Sequence, residues 1–173
     1  TGIVSGATHS EQLVLIRKLF PDVETVAVPI DPGDGNIKAR LQAITAVAQR
    51  HDMEIRALAV SVVQNTVSNR ISELTPTRSA ILLDRRLMPA APVEVLAKVA
   101  EQRNLPLFAT DKDSVIRGAL AALVIEPFGI GLQLGDLVAR ILEEPSAIRG
   151  PFKRARAAHL ILNPDARPSI DVT

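Results

Sequence analysis

Apolar residues recur along the chain in two alternating rhythms. Over residues 10–20 they fall at Leu13, Ile16 and Leu19 with Phe20, the spacing of one helix face. Residues 23–30 form instead a β-branched run that stops at Asp31-Pro32-Gly33-Asp34-Gly35, a strand entering a turn. The helical rhythm returns over 37–51, at Leu41, Ile44, Val47 and Ala48. Residues 55–63 predict a second strand, 67–74 a short helix broken by Pro76, and 79–83 a third strand. A helix over 92–102 follows, with proline at its start, where the missing N–H has no intrahelical partner to lose. Residues 105–109 predict a fourth strand, 114–120 a short helix, 121–125 a fifth strand, and 130–143 a helix.

Strand–helix alternation of this kind predicts an α/β fold, a doubly wound parallel sheet with helices on both faces. A chain of 173 residues holds one such domain with a real core and is short for two. Past Pro145 the pattern changes. The tail over 145–173 carries a basic Lys153-Arg154-Ala155-Arg156 segment, an apolar run at 159–162 that predicts an edge strand, and a proline-containing end. No internal repeat is evident.

Composition removes several function classes. Hydrophobic residues make up 47 % of the chain, well above a disordered one. No apolar run approaches the roughly 20 residues that cross a bilayer. A net charge of +1, with four Phe and no Trp or Tyr, argues against a nucleic-acid partner. With no cysteine, disulfides, thiolate metal sites and cysteine nucleophiles are excluded. His9, His51 and His159 form no ligand spacing and read as surface or packing residues. No catalytic residue, metal site or cofactor is expected. The chain starts at Thr1 without a signal peptide, which points to a processed chain or one cut from something longer.

In open parallel sheets, ligands sit beyond the carboxyl ends of the strands. That rule selects Asp31, Gly33, Asp34 and Asn36 after the first strand, and Ser61, Gln64 and Asn65 after the second. It adds Asp84, Arg85 and Arg86 after the third, and Thr110, Asp111, Asp113 and Ser114 after the fourth. Each also has a purely structural reading. Asp31-Pro32-Gly33 is an ordinary turn sequence. Asp113 or Ser114 would serve as the N-cap of the next helix. Arg85-Arg86 is either a solvated pair or a two-guanidinium clamp for a carboxylate, and helix N-termini at the same edge favour an anion. Enzyme motifs are missing. Gly33-Asp34-Gly35 lacks the third glycine of a dinucleotide fingerprint and the ending of a phosphate loop, and no Gly-x-Ser-x-Gly elbow occurs. A phospho-acceptor domain would place Asp84 suitably, but Asp31 and Asp34 are not adjacent and Arg85-Arg86 would crowd the acceptor.

The run from Pro106 through Phe108, Thr110-Asp111-Lys112-Asp113-Ser114-Val115 and Gly118-Ala119-Leu120 to Leu123 resembles a specific signature. It is that of the ABC-transporter substrate-binding family that includes tryptophan- and tyrosine-uptake proteins: P-L-F-x-S/T-D-x-D-S-V-x-x-G-A-L-A-A-L. Phe128, Gly131, Gln133 and Gly135 match its continuation. Thr1-Gly2 with Val4-Ser5 is similar to the family's crossover, and Asp31-Pro32 to Asn36 to its N-P-x-x-x-N turn.

The resemblance covers nearly the whole chain and implies a periplasmic-binding type I lobe, the C-terminal one. It implies a periplasmic or extracytoplasmic protein that binds a small molecule, an amino acid or related carboxylate, for an ABC permease without catalysis. Ligand contacts would come from the Asp31–Asn36 turn, the Asp84–Arg86 edge and the Thr110–Ser114 loop. It further implies an N-terminal lobe before the crossover, missing from this chain. The helix at 130–144, with Ile130, Leu134, Leu137, Val138, Ile141 and Leu142 on its apolar face, would then pack on that lobe, join a homodimer, or fold back on its own sheet. Two departures stand out: Pro127-Phe128 replaces two aromatics, and Arg85-Arg86 replaces a more neutral pair, a hint of an anionic ligand. A ligand-sensing or interaction domain of a membrane signalling protein is the competing expectation.

Overall fold

A computed structural model of the chain describes residues 2–4, 8–60, 67–149, 151–154 and 158–166. In chain order it forms β1 (Gly2–Val4), α1 (His9–Leu19), β2 (Thr25–Ile30), α2 (Ile37–Ala48), β3 (Glu54–Ala59), α3 (Val67–Ile71) and β4 (Ser79–Leu83). Then come α4 (Val93–Gln102), β5 (Leu107–Ala109), α5 (Lys112–Ile116), β6 (Ala121–Ile125), α6 (Pro127–Glu143), β7 (Phe152–Arg154) and β8 (Ala158–Leu162).

Six strands form the main sheet in the order β3-β2-β4-β5-β6-β8. The first five are parallel, as expected; β8, the expected edge strand, runs antiparallel to β6, so the sheet is mixed. The period of two divides each strand between two cores. Val26, Val28 and Ile30 of β2, Leu82 of β4 and Phe108 of β5 join Leu13 and Ile16 of α1 and Ile44 of α2 on one face. Ala27, Ile81, Leu83, Leu107 and Ala109 meet Ile71 of α3, Leu96 and Val99 of α4 and Val115 of α5 on the other. Phe20 stands edge-on to Phe108 with ring centres 5.8 Å apart. The sheet is thus wound on both faces, and its five parallel strands all end at one edge.

Local chemistry explains the boundaries. Thr8 and Glu11 form a capping box that starts α1. Asp52, at φ 53°, ends the short 3-10 turn that follows α2. Gly118, at φ 116°, turns the chain out of α5 toward β6, so that helix ends before the expected residue 120. A β-carbon at Gly118 would lie 2.8 Å from that of Ala97.

Two features were not foreseen. β1 and β7 pair in parallel as a separate two-stranded sheet, each too short to carry a readable period. α6 begins at Pro127, three residues early, with proline in the first turn. It has no buried residue, so the expectation of a helix covered by its own sheet is corrected: α6 meets β1 instead.

Candidate functional site

The carboxyl ends of β2, β4 and β5 deliver three polar loops to one edge, and the start of α1 lies above them. After β2, the Asp31 carboxylate accepts from the Gly33 N–H at 2.8 Å, and the Asp31 N–H donates to the Leu87 carbonyl at 3.1 Å. The first bond closes the turn and the second ties it to the β4 loop. Asp34 accepts from the Asn36 N–H at 2.9 Å and from Arg40 Nη1 at 3.0 Å. Arg40 also donates to the Arg86 carbonyl, a second link between the loops. Asp31, Gly33 and Asn36 are exposed, and the Asn36 side chain makes no capping bond.

Asp84 ends β4 and is 1 % exposed. Its Oδ1 accepts from the Arg86 N–H at 2.9 Å and from Arg86 Nε at 3.0 Å. Its Oδ2 accepts from Arg86 Nη2 at 2.8 Å and lies 2.8 Å from His9 Nε2. Burial alone would push this carboxyl up; the hydrogen bonds from His9 and Arg86 outweigh it and hold the group well below the usual carboxylate range. The same bond raises the Arg86 guanidinium above its ordinary value. Arg86 Nη2 is also 3.0 Å from His9 Nε2. An ionised Asp84 makes Nε2–H the donor, so His9 and Arg86 converge on one oxygen.

The two arginines therefore part company. Arg86 is locked to Asp84, while Arg85 is half-buried and, among the described residues, makes no hydrogen bond or ion pair. After β5, Thr110 is half-buried and Asp111 caps α5. Asp111 accepts from the Ser114 N–H at 2.9 Å and from the Ser114 hydroxyl at 2.8 Å. The cap is thus Asp111 rather than Asp113 or Ser114. Asp113 is exposed and reaches Arg117 at 3.5 Å, whereas Ser114 is buried. Ser61, Gln64 and Asn65 lie outside the described residues.

The structure brings Asp31, Asp84, Arg85, Arg86, Thr110 and Asp111 to one edge and adds His9, which the sequence reading left among surface and packing residues. A signal for it existed. Thr8 and Glu11 have capping-box spacing, which starts the helix at residue 9 and sets that helix terminus at the strands' carboxyl edge. Two cavities, of about 310 Å³ over Leu105, Leu107 and Leu120 and about 410 Å³ beside Arg17, Glu24 and Arg78, lie at the opposite edge, where strands begin. Neither touches these loops. The carboxyl edge is an open face. Among the described residues no three His, Asp or Glu gather as metal ligands.

Six strands wound on both faces, with polar loops at the carboxyl edge and an uncovered helix beside it, define the class as doubly wound α/β. The chain belongs to the ABC transporter substrate binding protein family, which matches residues 1–173. It is 23 % identical over 175 residues to a tyrosine-binding protein of Clostridioides difficile (strain R20291), covering 99 % of this chain and 50 % of that one. An uncharacterized protein of Rickettsia prowazekii (strain Madrid E) is 27 % identical over 168 residues, 94 % of this chain and 49 % of the relative. The chain thus spans about half the length of the curated relatives it matches. Among solved structures, the ligand-free, open form of a substrate binding protein with adhesive properties from Clostridium difficile superposes with a TM-score of 0.82. The two are 21 % identical, and the match covers 96 % of this chain and 56 % of that one. A Streptococcus pneumonia ABC domain in complex with L-Trp matches at 0.63, with 19 % identity over 89 % of this chain and 52 % of that one.

Proposed function

We propose that this chain is one lobe, the C-terminal one, of an extracytoplasmic solute-binding protein of the periplasmic-binding type I architecture. It binds a small molecule, an amino acid or related carboxylate, and presents it to an ABC permease without chemistry of its own. The observation that carries this reading is the convergence of the β2 turn, the β4 loop and the β5 loop on one open edge. There Asn36, Arg85 and Thr110 have side chains that the fold itself leaves unsatisfied among the described residues. Asp31 and Gly33 shape the turn. Asp84, Arg86, Asp111 and Ser114 brace the loops from behind, through bonds already described. The relatives named for tyrosine and bound to L-Trp support an amino-acid ligand. With Pro127-Phe128 beside the edge and no Tyr or Trp in the chain, an aromatic side chain would find few stacking partners.

Substrate-binding proteins of this architecture close two lobes on the ligand. A preceding lobe, or a second copy, would cover α6 and supply the facing wall; alone, this chain makes half the contacts and binds weakly. The test is a thermal-shift screen of the chain, alone and joined to any lobe encoded before it, against amino acids, carboxylates and nucleobases. Stabilisation by a single ligand class, larger in the longer protein, is expected. No shift from any ligand in either protein would overturn the reading and favour a partner-binding or sensing role.

A further inference from the structure

We infer that Arg85, and not Arg86, reads the carboxylate of the ligand, while Asp84 and His9 hold Arg86 out of that role as a structural brace. The inference rests on the proposed ligand-binding reading and assigns a specificity residue within it.

By sequence the two guanidinium groups are equivalent. The fold separates them. Arg86 turns back on Asp84 through Nε and Nη2, at 3.0 and 2.8 Å, and adds its own backbone N–H at 2.9 Å. Its carbonyl is held by Arg40, which is itself tied to Asp34 in the β2 turn. Residue 86 is thus fixed on both its backbone and its side chain, and its charge is cancelled by a buried carboxylate. His9 completes that carboxylate's shell at 2.8 Å. A ligand anion approaching Arg86 would compete with a bidentate partner already in place.

Arg85 has no such competitor. It is half-buried, so part of its hydration is gone, yet among the described residues no anion replaces it. A cation in that condition gains more from a ligand carboxylate than a solvated one does, and the planar guanidinium matches carboxylate geometry with two parallel bonds. Arg85 follows β4, the strand between β2 and β5, so it leaves the sheet in the middle of the three loops. Because Leu83 is paired with Ala109, Thr110 leaves the neighbouring strand level with Asp84, one residue before Arg85. The Thr110 hydroxyl, unbonded among the described residues, supplies a second donor.

The test is ligand-detected saturation-transfer titration of the full chain, which reads millimolar affinities. The probes are the twenty L-amino acids and succinate, each beside its α-carboxamide or, for succinate, the diamide. The unsubstituted chain should prefer the best acid to its amide by about tenfold or more, the worth of a charge-assisted hydrogen bond. Arg85→Gln should bring that ratio close to one without moving the melting temperature, since among the described residues no bond is made to this guanidinium. Arg86→Gln should lower the melting temperature and leave the ratio in place. Loss of the acid preference in Arg86→Gln but not in Arg85→Gln overturns the assignment. So does an acid preference that survives both substitutions, which would leave the binding reading intact. Binding of no probe to the unsubstituted chain overturns the assignment and the binding reading together.

Discussion

Asp84 concentrates the electrostatics of the carboxyl edge in one side chain. It is buried and accepts bonds from His9, from the Arg86 guanidinium and from the Arg86 backbone. Its folded-state value is depressed, so its contribution to stability is present above the unfolded carboxyl value of about 4 and is lost as pH falls below it. Urea unfolding of the chain should show falling stability below about pH 4, and Asp84→Asn should flatten that slope. At neutral pH the same substitution should cost about 2 kcal/mol, less than a fully buried pair because Arg86 is largely solvated. Glu94, held at about 2 by its bond to Arg117, titrates over an overlapping range. That pair lies on the surface, so high salt should remove its share of the slope and spare that of Asp84. A second residue test concerns Gly118. Its φ of 116° and the 2.8 Å approach of a β-carbon to Ala97 predict that Gly118→Ala lowers stability by about 2 kcal/mol or more. An unchanged urea midpoint would contradict it. Of these positions, the sequence located Asp84, Arg85 and Arg86 at a strand's carboxyl end, because apolar run and polar stop are both visible in one dimension. It did not show that Asp84 faces back to Arg86, or that His9 meets them. The Asp84–Arg86 bonds are local but rest on how the chain turns after β4, whereas the His9 contacts join residues far apart in the chain and depend on the packing of α1.

At the scale of elements, periodicity carried most of the information. β2, β4 and β6 were legible because a buried parallel strand is a continuous apolar run. α4 was legible because Val93, Leu96, Val99 and Ala100 recur at helical spacing and face the core. β1 and β7 were not, since a strand of three residues offers too few positions for any period. α6 shows what a pattern leaves unstated: the apolar stripe was evident, but not the surface it serves. The contrast between α4 and α6 is measurable. Leu96 in α4 is wholly buried, so Leu96→Ala should destabilise the chain by about 3 kcal/mol, the transfer loss plus the cavity left behind. Leu132 in α6 is 59 % exposed, and Leu132→Ala should move the urea midpoint by less than the equivalent of about 0.5 kcal/mol. A large loss at Leu132 would mean that α6 is packed against the rest of this chain.

The whole molecule joins a closed core to an open face. Both sides of the main sheet are covered, yet α6 exposes Phe128, Leu132, Leu134, Val138 and Leu142 together, and Phe152 of β7 is exposed as well. Apolar surface gathered on one helix in this way is the mark of an interface, each Å² worth about 25 cal/mol when removed from water. The chain spans about half the length of its curated relatives, and under the two-lobe reading proposed above a further lobe would cover α6. On its own, the chain has only another copy of itself to offer. Sedimentation velocity should therefore show concentration-dependent self-association of the isolated chain. Leu132→Glu combined with Val138→Glu should return it to monomer with the urea midpoint unchanged, because neither residue belongs to the core. Joined to a preceding lobe, the unsubstituted chain should sediment as a monomer, and the paired substitution should then weaken lobe docking and ligand affinity. An isolated chain that stays monomeric at every concentration would show that water tolerates this face. The role of α6 would then lie in ordering the β1–β7 pair it meets rather than in holding a partner.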